Sequence, residues 1–275
     1  MTSGEDMLEL EAGLKSIAEA IRPIVHVAEG SGRLTPIGSA FAVRNRGIRY
    51  LITADHVLAG LEDKLMGVDA EFSTRWPRSF SRLVSDDSTL PDADIAWVAI
   101  RMFEETLEVG ATIPLEQTIA RVAGGDANGF MAVGHPVSKS RMVEAQSAVA
   151  SKLMMAQVRI ADEATCVAIG IDDRVQFALS YDSNNHTDLA GRPIVPAQPK
   201  GMSGGVVVAT TRANDANGKS FMKPYVVGVL TRFYPEHRTY VATKIEHLWK
   251  AIGILPDNDR LYREMTGSYI RAADV

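Results

Sequence analysis

Only one cysteine, Cys166, occurs in 275 residues, so no disulfide can form within the chain. It lies in an apolar run, CVAIGI, and the absence of staples fits a reducing compartment. The fold therefore rests on its own core, and a 46% hydrophobic content suffices for one large domain or two small ones. No stretch approaches the roughly 18 consecutive apolar residues that a membrane helix needs. The N-terminal stretch MTSGEDMLELEAGLKSIAEAI is acidic and has neither a basic leader nor a long apolar centre, so it is not expected to act as a signal peptide. The expected protein is soluble and cytoplasmic, with no membrane partner. Excess positive charge is also missing. Lys and Arg number 29 against 34 Asp and Glu, a net charge of −5, and the basic residues are scattered, as at Arg44, Arg46 and Arg49. Nothing in that distribution calls for nucleic acid. No period of 20 to 50 residues recurs, which excludes a propeller or solenoid. No paired His, Asp and Glu spacing suggests a metal site, and no cofactor is expected.

What the chain does contain is many short strands between two helices. Residues 5–21 place Leu10, Leu14, Ile17 and Ile21 at helical spacing, with Ser3 and Asp6 as a capping box and Pro23 as the stop. From there to about residue 245, short Val-, Ile- and aromatic-rich runs alternate with Gly, Pro, Asn and Asp. IVHVAE, GSAFAVR, RYLITA, DIAWVAI, GFMAVGH, CVAIGI, VQFALSY, GVVVAT, YVVGVL and TYVAT read as strands. Asn217–Gly218 marks a hairpin loop, and KIEHLWKAIGI (244–254) is a second amphipathic helix. VAGGDANG (122–129) is the best internal linker. The pattern predicts two β-barrels or sandwiches of similar size, with a single large sandwich as the alternative.

One segment raises a chemical question. PKGMSGGVVV (199–208) sets Ser203 among glycines at the mouth of an apolar strand. A linker would not run on into Val206, Val207 and Val208, and a phosphate loop would carry a lysine and lead into a helix. A serine nucleophile on a bare loop, with backbone N–H groups free for an anion, fits the pattern. It needs a base, and of six histidines His56 is the best placed. It ends the strand RYLITA, and Val57 and Leu58 pin it at a core edge. His26, His135, His186, His237 and His247 read as packing or surface residues. A carboxylate must then orient the imidazole. Asp94, opening DIAWVAI, is one choice, with Asp92 and Asp55 as rivals and a plain turn residue as the alternative.

Taken together, TADH, DADIAWV and GMSGG, in the order His, Asp, Ser, resemble the signatures of the chymotrypsin-like (trypsin-like) serine peptidase family. The likeness is to its disulfide-free bacterial branch, which includes the high-temperature-requirement proteases. FMAVGHP resembles an early strand of that family's second barrel, YVVGVLT the strand along the primary specificity pocket, and TYVATKIEHLWKAI the last strand and closing helix. The resemblance spans roughly residues 23 to 254. It implies an all-β fold of two antiparallel six-stranded barrels flanked by helices: an N-terminal helix (1–22), a first barrel with His56 and Asp94 (23–122), a second with Ser203 (123–243), and a helix and tail (244–275).

By the same resemblance the chain is a serine endopeptidase acting on protein or peptide substrates. Ser203 is the nucleophile, His56 the base, Asp94 its orienting group, and the amides of Gly201 and Ser203 the oxyanion hole. The substrate-binding residues implied are Ala197, Lys200, Thr231, Arg232, Phe233 and Tyr240, with a preference for small or medium uncharged side chains. Met202 stands where digestive relatives carry an aspartate that pairs with a newly cut N-terminus, so activation by clipping is not expected. The N-terminal helix either packs within the protein or offers an acidic face (Glu5, Glu9, Glu19) to a protein regulator. A catalytically silent relative serving as a binding module is the main alternative. An α/β-hydrolase esterase is disfavoured because no helix follows Ser203, and a cysteine mechanism because Cys166 stands alone.

Overall fold

Helical spacing of apolar residues near the N-terminus produces α1 (Gly4–Glu19). The computed structural model describes residues 4–27, 34–59, 65–68, 73–75, 81–83, 93–101, 111–118, 127–143, 148–181, 198–214, 218 and 220–254. Ser3, and with it the capping box, lies outside them. The helix ends at Glu19, before the expected stop, and Pro23 falls inside a paired strand opposite Ser39. Leu14 and Ile17 are buried in a cluster that also contains Phe41, Val208, Val226 and Trp249. The helix thus spends its apolar stripe on the body of its own protein.

The first β-unit contains β1 (Ile21–Val27), β2 (Leu34–Asn45), β3 (Ile48–Ala54), β4 (Leu65–Val68), β5 (Ser73–Arg75), β6 (Ser81–Arg82), β7 (Ile95–Arg101) and β8 (Ile113–Pro114). They form one eight-stranded sheet in the order β5-β4-β1-β2-β3-β7-β6, with β8 added parallel to β2. The expected six-stranded barrel does not close here. The outermost strands are three and two residues long and do not pair with each other among the described residues. Closure needs a continuous staggered ladder around the ring, which such short edges do not supply.

The second unit does close. It joins β9 (Ala127–Gly134), β12 (Met154–Ile160), β13 (Gln176–Tyr181), β14 (Val206–Asn214), β15 (Ser220–Tyr234) and β16 (Thr239–Lys244) in an antiparallel barrel. A separate hairpin, β10 (Ser140–Val143) with β11 (Ala148–Ser151), lies between β9 and β12. Met154, Ala156 and Val158 of β12 point into the barrel while Gln157 and Arg159 are exposed, the period-two alternation of a half-buried strand. Gly218, at φ +78°, sits in the connection between β14 and β15, as the Asn-Gly pair predicted.

CVAIGI is not a strand. Residues Glu163–Ile169 form a helix, α3, following the short α2 (Asp55–Leu58). Asp162 caps α3 by accepting from the Thr165 N–H at 2.7 Å, and Gly170 ends it in the left-handed conformation. The two caps outweigh the β-preference of the Val and Ile between them. The closing helix, α4 (Ile245–Ala251), buries Ile245, Leu248 and Trp249, with the Trp249 ring edge-on to Tyr50. Among the described residues, no helix is long and apolar enough to cross a membrane.

Because Ile17 is fully buried in a cluster shared by α1, the open sheet and the barrel, Ile17→Ala lowers unfolding free energy by about 2–5 kcal/mol in urea titrations. Leu8→Ala, at a side chain 67% exposed, changes it by less than about 0.5 kcal/mol. Equal effects at both positions would contradict the docked helix.

Candidate active site

The register of two neighbouring strands sets the first half of the site. β3 and β7 pair antiparallel from Ile48↔Arg101 to Ala54↔Ile95, so the residues just after β3 and just before β7 emerge side by side. The Asp55 N–H extends this ladder to the Asp94 carbonyl at 3.0 Å. The chain then turns into α2, whose Val57 and Leu58 are buried, leaving His56 at the surface edge. Asp94 has φ +49°, a left-handed conformation that Asp tolerates better than most residues. There its carboxylate faces His56 on two fronts. Oδ1 accepts the His56 backbone N–H at 3.0 Å, and Oδ2 lies 2.9 Å from Nδ1. The Asp94 side chain is 10% exposed and that of His56 49%. With Nδ1 carrying the proton toward the carboxylate, Nε2 is left as the basic atom.

Asp92 lies outside the described residues. Asp55 does not approach the imidazole in the same way; its Oδ1 is 2.8 Å from Arg82 Nε.

The second half is the Ser203 loop. The Gly204 N–H donates to the Leu230 carbonyl at 2.7 Å and the Leu230 N–H to the Gly205 carbonyl at 2.9 Å, which zips the loop onto β15. Met202 is buried in the barrel core with Leu230, Tyr240 and Val207. An apolar residue before Ser203 therefore serves as an anchor. The Ser203 hydroxyl donates to the Thr231 carbonyl at 3.3 Å, where β15 is bulged against β16. No hydrogen bond joins Ser203 to His56 in this conformation.

Backbone orientation around Ser203 is tightly set. The Lys200 carbonyl accepts from Val137 N–H at 2.8 Å and the Met202 carbonyl from Gly205 N–H at 2.9 Å. In a trans peptide the next N–H points the opposite way. The amides of Gly201 and Ser203 thus face away from those contacts, and neither finds an acceptor among the described residues. Gly201 holds φ +92°, and a Cβ there would lie 2.6 Å from Val137 Cγ2. Two unspent amide donors flanking a hydroxyl are the equipment for stabilising an oxyanion.

Ser39, on β2, holds the halves together. Its N–H donates to the Ser203 carbonyl at 2.7 Å, its hydroxyl donates to the Gly201 carbonyl at 3.1 Å and accepts the His135 N–H at 2.9 Å, and its carbonyl accepts from the Thr53 hydroxyl at 2.7 Å. Its neighbour Gly38 locates the two chemical groups relative to each other. A Cβ there would meet Val57 at 2.6 Å and the Ser203 carbonyl at 3.1 Å, so the His56 turn and the Ser203 loop flank one point. A third tie runs from the Thr243 hydroxyl to the Ala93 carbonyl, 2.6 Å, beside Asp94. Sequence reasoning missed Ser39; its one local sign is a Gly-Ser pair inside an otherwise apolar strand.

Of the expected substrate-binding residues, Ala197 lies outside the described residues. Lys200 and Arg232 are exposed, and Thr231 is buried. Phe233 and Tyr240 pair across β15 and β16 and, with Tyr181, form an aromatic cluster with ring centroids 4.9 to 6.1 Å apart. Tyr240 is 1% exposed and its hydroxyl has no partner among the described residues. Burial pushes its pKa up, so the phenol stays protonated. Tyr181, which the sequence reading did not single out, completes the cluster. Among the described residues, no group of three or more His, Cys, Asp or Glu could hold a metal ion.

No protein-family model matches the chain, and no curated protein matches it by sequence. Solved structures resemble it distantly. One is a serine endoprotease from Yersinia pestis, with 15% identity and a TM-score of 0.45 over 92% of this chain. The likeness covers 66% of that enzyme's length. Another is the tobacco vein mottling virus protease, with 10% identity and a TM-score of 0.40 over 84% of this chain and 78% of the other. At these scores neither likeness bears on activity.

Buried His135 gives the region a pH signature. Burial holds its imidazole neutral, with a pKa pushed down to about 4, although the Ile21 carbonyl bonded to Nε2 pulls the other way. The unfolded chain titrates near 6.5, so this contribution is complete above about pH 6.5 and lost as pH falls toward 4. It amounts to about 3 kcal/mol. In urea denaturation at stepped pH, His135→Gln is expected to flatten that loss. An unchanged pH dependence would contradict the assignment.

Proposed function

We propose that this chain is a serine endopeptidase, with Ser203 as nucleophile, His56 as general base and acid, and Asp94 as the group that orients His56. The observation that carries the reading is the Asp94–His56 pair, 2.9 Å from Oδ2 to Nδ1, on a turn that shares Gly38 with the Ser203 loop. In the proposed reaction Ser203 Oγ bonds to the carbonyl carbon of the peptide while its proton passes to His56 Nε2. The amides of Gly201 and Ser203 hold the resulting oxyanion. The carbon–nitrogen bond then breaks, the amine leaving with the proton from His56. Water repeats the cycle on the acyl-enzyme, releasing the acid and restoring the serine. Losing one oxyanion donor typically costs about a hundredfold or more in rate.

Before attack, the Ser203 hydroxyl must turn from the Thr231 carbonyl toward His56, and rotation about χ1 between staggered positions supplies such a move. Clipping is no part of the proposal. Met202 is buried in the barrel core, and a cut at Pro23 would sever a strand paired to Ser39. The aromatic cluster of Tyr181, Phe233 and Tyr240 adjoins Met202, and the proposed preference is for small or medium uncharged side chains. A regulator would meet the exposed acidic side of α1, at Glu9 and Glu19.

A second reading, a catalytically silent binding module, draws on one observation: Ser203 hydrogen-bonds Thr231 and not His56. A fluorophosphonate probe separates the two. The expected result is labelling of the wild type, none of Ser203→Ala, and cleavage of a peptide library after small or medium uncharged residues, with Phe233→Ala admitting larger ones. Absence of labelling favours the silent module, and a profile dominated by Lys or Arg overturns the specificity.

A further inference from the structure

The Asp94–His56 pair leaves a second carboxylate at the same corner unexplained. Asp55 immediately precedes His56, its N–H is bonded to the Asp94 carbonyl, and its Oδ1 lies 2.8 Å from Arg82 Nε. Arg82 sits on the edge strand β6, which pairs with β7, the strand that begins one residue after Asp94. Asp55 Oδ1 is buried, and Arg82 holds the carboxylate both by charge and by a side-chain hydrogen bond. The side chains are 30% and 43% exposed, which screens the pair only in part. Burial raises the Asp55 pKa, Arg82 opposes that rise and Asp94 adds to it. Asp55 is thus electrically linked to both neighbours.

We infer that Asp55 and Arg82 form a positioning pair for His56. The ion pair ties the edge of the open sheet to the turn that carries the imidazole. The guanidinium offsets the pull that this second carboxylate exerts on His56 alongside Asp94. Among the described residues, the charged groups at His56 are Asp94 ahead of β7, Asp55 on its own turn and, through Asp55, Arg82 on β6. From the barrel, the stretches bearing Ser203 and Thr231 contribute Lys200 and Arg232, both exposed to solvent. On β3, Arg49 lies at the end remote from the turn.

The charge arithmetic separates this role from simple bracing. Without Arg82, an uncompensated carboxylate beside His56 favours the imidazolium. Without Asp55, the Arg82 charge is no longer offset by that carboxylate and disfavours it. Removing both cancels the two effects but does not restore the tie. The catalytic part of the inference rests on the peptidase reading, whereas the charge coupling does not.

The test is an NMR titration of His56 in the full chain, its signal identified by loss in His56→Gln, alongside the pH profile of kcat/KM. Arg82→Gln is expected to move the His56 titration midpoint up by about half a pH unit and Asp55→Asn to move it down by a similar amount. The double variant returns it to the wild-type position with kcat still lowered. Should a neutral variant not fold, Asp55→Glu and Arg82→Lys keep the charges, and are expected to hold the midpoint while lowering kcat. Shifts of the same sign in both single variants, no shift in either, or a moved midpoint in the charge-conserving variants would overturn the inference. Opposite shifts in a chain that neither cleaves peptide nor takes the probe would sink the peptidase reading and leave the positioning pair standing.

Discussion

The approach of Ser39 to Gly204 is the constraint on which the site depends. A Cβ on Gly204 would lie 1.9 Å from the Ser39 carbonyl oxygen and 2.2 Å from the Thr53 hydroxyl, and φ there is +81°. Only glycine meets both conditions without displacing backbone. Because the two backbones touch, the N–H and hydroxyl of Ser39 reach the Ser203 and Gly201 carbonyls. The loop is held from the open sheet on one side and from β15 on the other. Fixed donors stabilise developing charge without first having to reorganise.

A consequence is that the open first sheet does not weaken the site. The strands that matter, β2, β3 and β7, are its long central ones, and all seven residues of β3 pair with β7. The short outer strands contribute Arg82, which reaches the His56 turn through its side chain. Hydrogen bonds from Thr243 to Ala93 and from Ser39 to the Ser203 loop cross between sheet and barrel at both chemical groups. Small relative movements of the two units would therefore be felt at His56 and Ser203 together.

Local signals draw attention to Ser203, His56 and Asp94, with Asp92 and Asp55 as rivals, and the family resemblance joins the three; the structure bears on this reading through the Asp94–His56 contact. Glycines around a serine, a histidine at a strand end and an aspartate at a strand start each state a backbone need within a few residues. The helices at both ends and the Asn-Gly hairpin were readable for the same reason. CVAIGI reads as a strand by its β-branched residues, whereas Asp162 ahead of it and Gly170 within it cap a helix and decide the matter. β12 shows its strand character in the alternation of MMAQVRI. Ser39 could not be read, because its partners lie 162 and 96 residues away in sequence. Failure of the first barrel to close depends on how short edge strands meet, which local pattern does not encode.

Convergence of one hydroxyl, one imidazole and two amides on a single reacting carbon is the central claim, and a structure of the wild-type chain with a small peptidyl boronic acid tests it most directly. The expected result is a covalent bond from Ser203 Oγ to boron, one boronate oxygen between the amides of Gly201 and Ser203, and His56 Nε2 within hydrogen-bonding distance of the adduct. Boron bound elsewhere, or an adduct that leaves His56 out of reach, would contradict it.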